Sequence, residues 1–244
     1  QRQLSALREG LRQWQADWQS PIDAIRRRRV ADTLRRSWWR KLVDDNEQYE
    51  LCIDGEQVGQ LPSLPAGIDY AHVRRLTLRN RSGSDRTIEI TSYGEIVLDA
   101  PAADRTHPAF SKMFVETEIR DGGALIVAQR KPRDPKGKPR FFAHLVAGPN
   151  SAGTPATEAE TDRRAFIGRG RSLADAAAFD AGAALRGGQG YTMDPCFAIR
   201  RRIRVPAGKT VSLTFWTLVA GSAEERDRLA SHYVRPEVFD NELR

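Results

Sequence analysis

Residues 196–219 read CFAIRRRIRV, PAGK, TVSLTFWTLV: two long segments that suit strands, Cys196 to Val205 and Thr210 to Val219, set apart by Pro206-Ala207-Gly208-Lys209. A proline with a glycine two residues on is a turn signal, so the two segments are expected to fold back as an antiparallel hairpin. Successive side chains of a strand point to opposite faces, so one of the neighbours Phe215 and Trp216 must face a core.

Working outward, the same reading holds upstream. Val73 to Leu78, Arg86 to Leu98, Phe114 to Ile119, Ala124 to Gln129 and Phe141 to Val146 are expected strands. In the second, Ile88, Ile90 and Ser92 fall on one side and Thr87, Glu89 and Thr91 on the other. Asn80 to Asp85, with Gly83, is a polar turn. Lys131 to Arg140 reads as a charged, proline-punctuated loop, and Gly148 to Ala159, with Pro149 and Pro155, as a soft loop of small residues. Downstream, Ser222 to His232 is an amphipathic helix with a serine cap and Glu224 and Glu225 in its first turn. Many strands without alternating helices specify a mainly β protein, an antiparallel sandwich and not a βαβ sheet.

The N-terminal part has another period. Leu4, Leu7, Leu11, Trp14 and Trp18 share one helical stripe, and Ile22, Ile25, Val30, Leu34 and Trp38 a second, with a helix start at Ser20-Pro21 between them. Trp38-Trp39 reads as a helix-packing pair. Tyr49 to Ile53 then alternates, Asp54-Gly55 turns, and Gln57 to Gln60 returns as a second short strand. The stretch from Leu61 to Gly67, with Pro62 and Pro65, sets a boundary. Two units are expected: 1–66, a helical hairpin plus a short β-hairpin, and 67–244, a β-sandwich ending in a C-terminal helix.

Composition narrows the classes. The 244 residues are 40% hydrophobic, which speaks against general disorder, and no apolar run is long enough to span a bilayer. Cys52 and Cys196 stand far apart and outside any Cys/His cluster, so they read as free thiols of a reducing cytoplasm, with no metal site and no cofactor. The formal charge of +7 sits largely in runs such as Arg26 to Arg29 and Arg200 to Arg202. These alternate with apolar residues or mix with acids, so we read a solvated face in preference to a nucleic-acid footprint, which needs bases gathered on one surface with aromatics to stack.

Several blocks carry a family resemblance: Thr91 to Leu98; Ala103-Asp104; His107 to Glu118; Glu160 to Arg163; Phe166 to Arg171; and Met193 to Arg200. In order and spacing, over about 72–244, they resemble the sandwich domain of the cyclic β-1,2-glucan synthases of glycoside hydrolase family 94, formerly glycosyltransferase family 36. The resemblance implies a galactose-mutarotase-like supersandwich, incomplete because its first Trp- and Phe-rich strands are missing. It implies a parent anchored at the bacterial inner membrane. It also implies a following (α/α)6 barrel that carries the general acid, an Asp. That acid must sit at the scissile oxygen, so no residue of this chain is expected to be catalytic and the chain alone is expected to be inactive. The implied partners are β-glucan or glucose oligosaccharide, held weakly, the barrel, and a second copy in a homodimer; no nucleic acid and no membrane contact are implied.

A second resemblance covers 1–80. Arg29 to Trp38, Gly59 to Pro65 and Asp69 to Val73 resemble the segment ahead of the leucine-rich repeats in effector-like toxins of the dermonecrotic-toxin or NEL-ligase kind, without the ligase's cysteine motif. It implies a protein-interaction module, or a chimera of the two families.

Eight residues are candidates for contact with carbohydrate or with the barrel. His107 could reach a sugar hydroxyl, or His107-Pro108 could simply shape a turn. Lys112, Phe114, Glu116 and Glu118 fall at every second position, so the charged residues among them could face hydroxyl groups from one strand face, or form a solvated face. Asp162, Arg163 and Arg169 could contact sugar or phosphate through planar guanidinium groups, or tie a loop to the sheet. Trp216 could stack on a sugar ring, or pack in the core.

Overall fold

The computed structural model describes residues 49–54, 68–99, 104, 106–132, 139–149, 157–235 and 237–239. The expected helical hairpin and the return strand 57–60 lie outside them. The strands are β1 (Tyr49–Asp54), β2 (Ile68–Asn80), β3 (Arg86–Glu95), β4 (Val115–Arg120), β5 (Leu125–Arg130), β6 (Arg140–Ala147), β7 (Thr157–Asp162), β8 (Gly190–Tyr191), β9 (Pro195–Val205) and β10 (Thr210–Ala220). Three short helices join them: α1 (Pro108–Lys112), α2 (Arg163–Ile167) and α3 (Ala223–Tyr233). No helix among the described residues is long and apolar enough to cross a membrane.

Every strand pair is antiparallel. A seven-stranded sheet has the order β1-β2-β10-β6-β5-β4-β8, and a three-stranded sheet the order β3-β9-β7. The expected sandwich is there. β1 pairs with β2 along its whole length, Tyr49 opposite Asn80 and Asp54 opposite Arg75, so residues 49–54 belong to the large sheet.

The opening expectation of a β9–β10 hairpin is overturned. The turn at 206–209 exists, with the Lys209 amide bonded to the Pro206 carbonyl and Gly208 at φ +67°, but β9 lies in the small sheet and β10 in the large one. A turn signal says that the chain reverses, not that the flanking strands pair. β2 and β3 change sheets beside it, so a two-stranded ribbon bends over as β2/β10 and continues as β9/β3. Asn80 pins this corner. Fully buried, it donates through Nδ2 to the carbonyls of Ser84 and Val205, each at 2.9 Å, and accepts through Oδ1 from the Ser82 amide and hydroxyl.

The large sheet is buried on both faces, which explains the nearly unbroken apolar runs of β5 and β6. Phe215 faces the small sheet, among Ile88, Ile90, Ile199 and Ile203. Trp216 faces the other way, toward Leu229 and Tyr233 of α3. α3 starts where its serine predicted, with the Ser222 hydroxyl accepting from the Glu225 amide, and its buried stripe closes that side. At about 1.5–3 kcal/mol for each large side chain buried, this stripe is a substantial part of the domain's stability.

β7 falls across the expected soft loop and charged motif, because Thr-Glu-Ala-Glu-Thr-Asp carries little apolar signal. It is a strand because its buried polar groups find partners: the Thr161 hydroxyl donates to the Gly188 carbonyl, and the Thr161 amide to the same carbonyl.

Candidate functional site

At the end of β3 opposite the corner, four charges alternate in a closed ring. Lys112 Nζ donates to Asp194 Oδ1 at 2.9 Å and to Glu95 Oε2 at 3.1 Å. Arg163 donates through Nε to Glu95 Oε1 and through a terminal nitrogen to Asp194 Oδ2, both at 3.1 Å. Local structure puts each member in place. Glu95 ends β3, and Asp194 stands in the turn that enters β9 at Pro195. Lys112 ends α1, which starts after His107 with a proline in its first turn. Arg163 opens α2, whose N-cap Asp162 accepts from the Arg164 amide at 2.8 Å.

The electrostatics are those of a clasp. Burial works against the charge on Lys112, but its bonds to Asp194 and Glu95 outweigh that and hold its pKa above the ordinary lysine value. Each carboxylate accepts from two cations. Beside the ring, burial, with Cys196 and Glu95 adding to it, pushes the Tyr93 phenol up. Burial likewise raises the pKa of the Cys196 thiol, which is inert for that reason. Among the described residues, no group of three His, Cys, Asp or Glu side chains could hold a metal ion.

The fold therefore brings together two of the expected residues, Lys112 and Arg163, with two that were not singled out, Glu95 and Asp194. Lys112 lies on a helix, not in a strand register with the glutamates, since β4 starts at Val115. Glu116 and Glu118 do share a strand face but serve different neighbours. Glu116 accepts from Gln129 at 2.8 Å and from the Tyr191 hydroxyl at 3.1 Å. Glu118 accepts from Arg120 at 2.6 Å, a bond that lowers its pKa. His107 is exposed and makes no side-chain cap; its carbonyl receives the amides of Phe110 and Ser111, so it shapes the turn. Asp162 caps α2. Arg169 is exposed in a tight turn between Gly168 and Gly170, both at positive φ, and the structure does not bring it to the ring. Trp216 is 2% exposed and stacked on Tyr233 at 4.1 Å between ring centroids, so it offers no face to a sugar.

Phe110 and Met113, on and just after α1, are 45% and 46% exposed, and Tyr191 and Met193, just before Asp194, are 57% and 64% exposed. The Lys112–Asp194 bond joins the two segments that carry them.

The arginine run of β9 has a different use. Arg200 and Arg201 are 4% and 5% exposed. The Arg200 guanidinium bonds the Ala183 and Ala178 carbonyls and pairs with Glu158, fastening the 163–187 excursion over the outer face of the small sheet. Arg202 bonds Glu89 at 2.9 Å across the β3–β9 pair. Two of the three arginines are thus interior, not part of a solvated face.

Residues 67–236 match the glycosyl hydrolase 94 supersandwich domain. The cyclic beta-(1,2)-glucan synthase NdvB of Rhizobium meliloti (strain 1021) is 43% identical over 229 residues, covering 88% of this chain. The chain spans 8% of that relative's length. Only eight residues follow the family match, so this likeness also takes in at least half of residues 1–66.

Proposed function

Because the chain belongs to the glycosyl hydrolase 94 supersandwich family, we propose that it is the non-catalytic, carbohydrate-associated β-sandwich of a β-1,2-glucan synthase or related glycoside phosphorylase. In this reading it docks on an (α/α)6 catalytic barrel elsewhere in the same polypeptide and shapes the barrel's substrate cleft. The observation that carries the proposal is the clasp with its apolar rim. Large exposed apolar side chains gathered in one place mark an interaction surface, and the Lys112–Asp194 bond of the ring joins the two segments that bear Met113 and Met193. Direct binding of β-1,2-linked oligosaccharide by this domain is expected to be weak. The reach of the NdvB likeness into 1–66 favours one continuous parent over a fusion with an effector-like toxin.

The test is made in the whole parent protein. The double substitution Met113→Asp, Met193→Asp should lower glucan synthesis or phosphorolysis at least tenfold while the sandwich stays folded by circular dichroism. Full activity in that variant removes the docking role.

A further inference from the structure

Between α2, the turn at 177–179 and residues 183–186 lies a recess of about 220 Å³ outside the clasp. Alanines form most of its wall, among them Ala177 and Ala184, and Glu160 and Arg186 are its charged lining residues. Glu160 is 1% exposed. Its Oε1 accepts from the amides of Thr161 and Asp162, each at 2.9 Å, and its Oε2 is buried with no hydrogen-bond partner among the described residues. Gly188 makes room for this carboxylate, since a Cβ there would come within 2.5 Å of Oε1. A carboxylate held by two backbone amides with its second oxygen unsatisfied is costly to bury unless a donor completes it.

We infer that this recess is a binding site for a small neutral polyhydroxyl ligand, of the size of one pyranose ring, whose hydroxyl donates to Glu160. Three features select that class. The volume is below the roughly 300–1,000 Å³ of sites for drug-sized ligands. The carboxylate repels an anion, while Arg186 at the rim and Arg200, bonded to the carbonyls of the lining residues Ala178 and Ala183, repel a cation. Among the lining side chains Glu160 supplies the acceptor and exposed Arg186 the donors, a pair that hydroxyl groups satisfy together. Alanine methyls suit the C–H face of such a ring. The choice of a sugar over another polyol rests on the glucan reading above.

The experiment is a methyl NMR titration of the full chain, labelled at alanine, with glucose, using methylammonium chloride and sodium acetate as charged probes. Glucose should shift the methyls of Ala177, Ala178, Ala183 and Ala184 and saturate in the millimolar range, with the charged probes leaving them in place. Ala184→Leu, at an exposed position on the rim, should weaken the response at least tenfold. Glu160→Gln, which keeps the acceptor for the two amides, should abolish it. The inference falls if glucose moves none of these methyls, if Ala184→Leu leaves the titration unchanged, or if methylammonium or acetate binds as well as glucose. These readouts do not involve Met113 or Met193, so the docking role and the recess can fail separately.

Discussion

The two ends of the β3–β9 strand pair are built from the same residue types and come out differently. At the start of β3, Asp85 accepts from the Ala207 amide and from Arg204, each at 2.9 Å, and Asn80 bonds the carbonyls of Ser84 and Val205, one from each side of the corner, and the Ser82 amide. At the other end, the carboxylates of Glu95 and Asp194 accept from the side chains of Lys112 and Arg163 within the ring, and the Asp194 carbonyl accepts from the Arg163 amide. Polar side chains that satisfy backbone close a corner, because the groups they serve have no other partner. Polar side chains that satisfy one another hold loops in place and leave the surface around them open to a partner. One end of the ribbon is therefore architecture, and the other is the surface proposed to dock a partner.

That contrast can be broken by substitution. Asn80→Ala should be the most damaging change, at about 3 kcal/mol by urea unfolding, since it leaves buried groups of two turns unsatisfied. A loss below about 1 kcal/mol would mean that the corner is not held this way. Midway between the ends, His144 bridges the layers, with Nε2 2.8 Å from the Ser92 hydroxyl and Nδ1 2.9 Å from the Thr217 hydroxyl. Burial, with the charges of Arg74 and His72, pushes its pKa down to about 3. The folded state thus resists a proton that the unfolded chain takes up near pH 6.5. This contribution is fully present above pH 6.5 and is lost as the pH falls toward 3, with a slope of up to about 1.4 kcal/mol per pH unit. His144→Gln should flatten that part of the stability–pH curve, and an unchanged slope would assign it elsewhere. At the corner, the Ala207 amide and Arg204 lower the Asp85 pKa, so its contribution is present above the ordinary aspartate range and disappears at more acidic pH.

Smaller effects are expected at the open end. Lys112→Met should cost about 1 kcal/mol, less in added salt, since it removes one cation from a partly exposed network. A salt-independent loss would show that packing, not charge, holds the clasp. Met113→Ser with Met193→Ser should leave stability within about 0.5 kcal/mol, because surface apolar groups contribute little to the isolated domain. A larger loss would mean that these side chains belong to the domain's own packing.

Much of this was legible beforehand. The alternation of Ile88, Ile90 and Ser92 correctly placed the inner face of β3, and Ser222 with its acidic first turn marked the start of α3. The family blocks from Thr91 to Arg200 pointed to the supersandwich. β7 was not legible, because a strand stabilised by threonine hydroxyls and a buried glutamate has no apolar period to detect. The clasp was legible only in part. Lys112 and Arg163 stood out as charges within recognisable blocks, whereas Glu95 and Asp194 matter only because the fold sets them between those two cations. Phe215 and Trp216 were expected to put at least one ring in a core; both are buried, on opposite faces, because each face of the large sheet has its own cover.

What the amino-acid order determined by itself is local: where the chain runs extended, where it turns, and which side chains share a face, since these follow from a period of two and from the limited backbone freedom of proline and glycine. The tertiary structure alone decided which strand lies beside which. It sent β9 and β10 to different sheets across an ordinary turn, buried Arg200 and Arg201, and joined Lys112 to Asp194 across 82 residues. Pairing of that kind depends on burial and hydrogen-bond satisfaction summed over the whole domain, and no short stretch of sequence contains that sum.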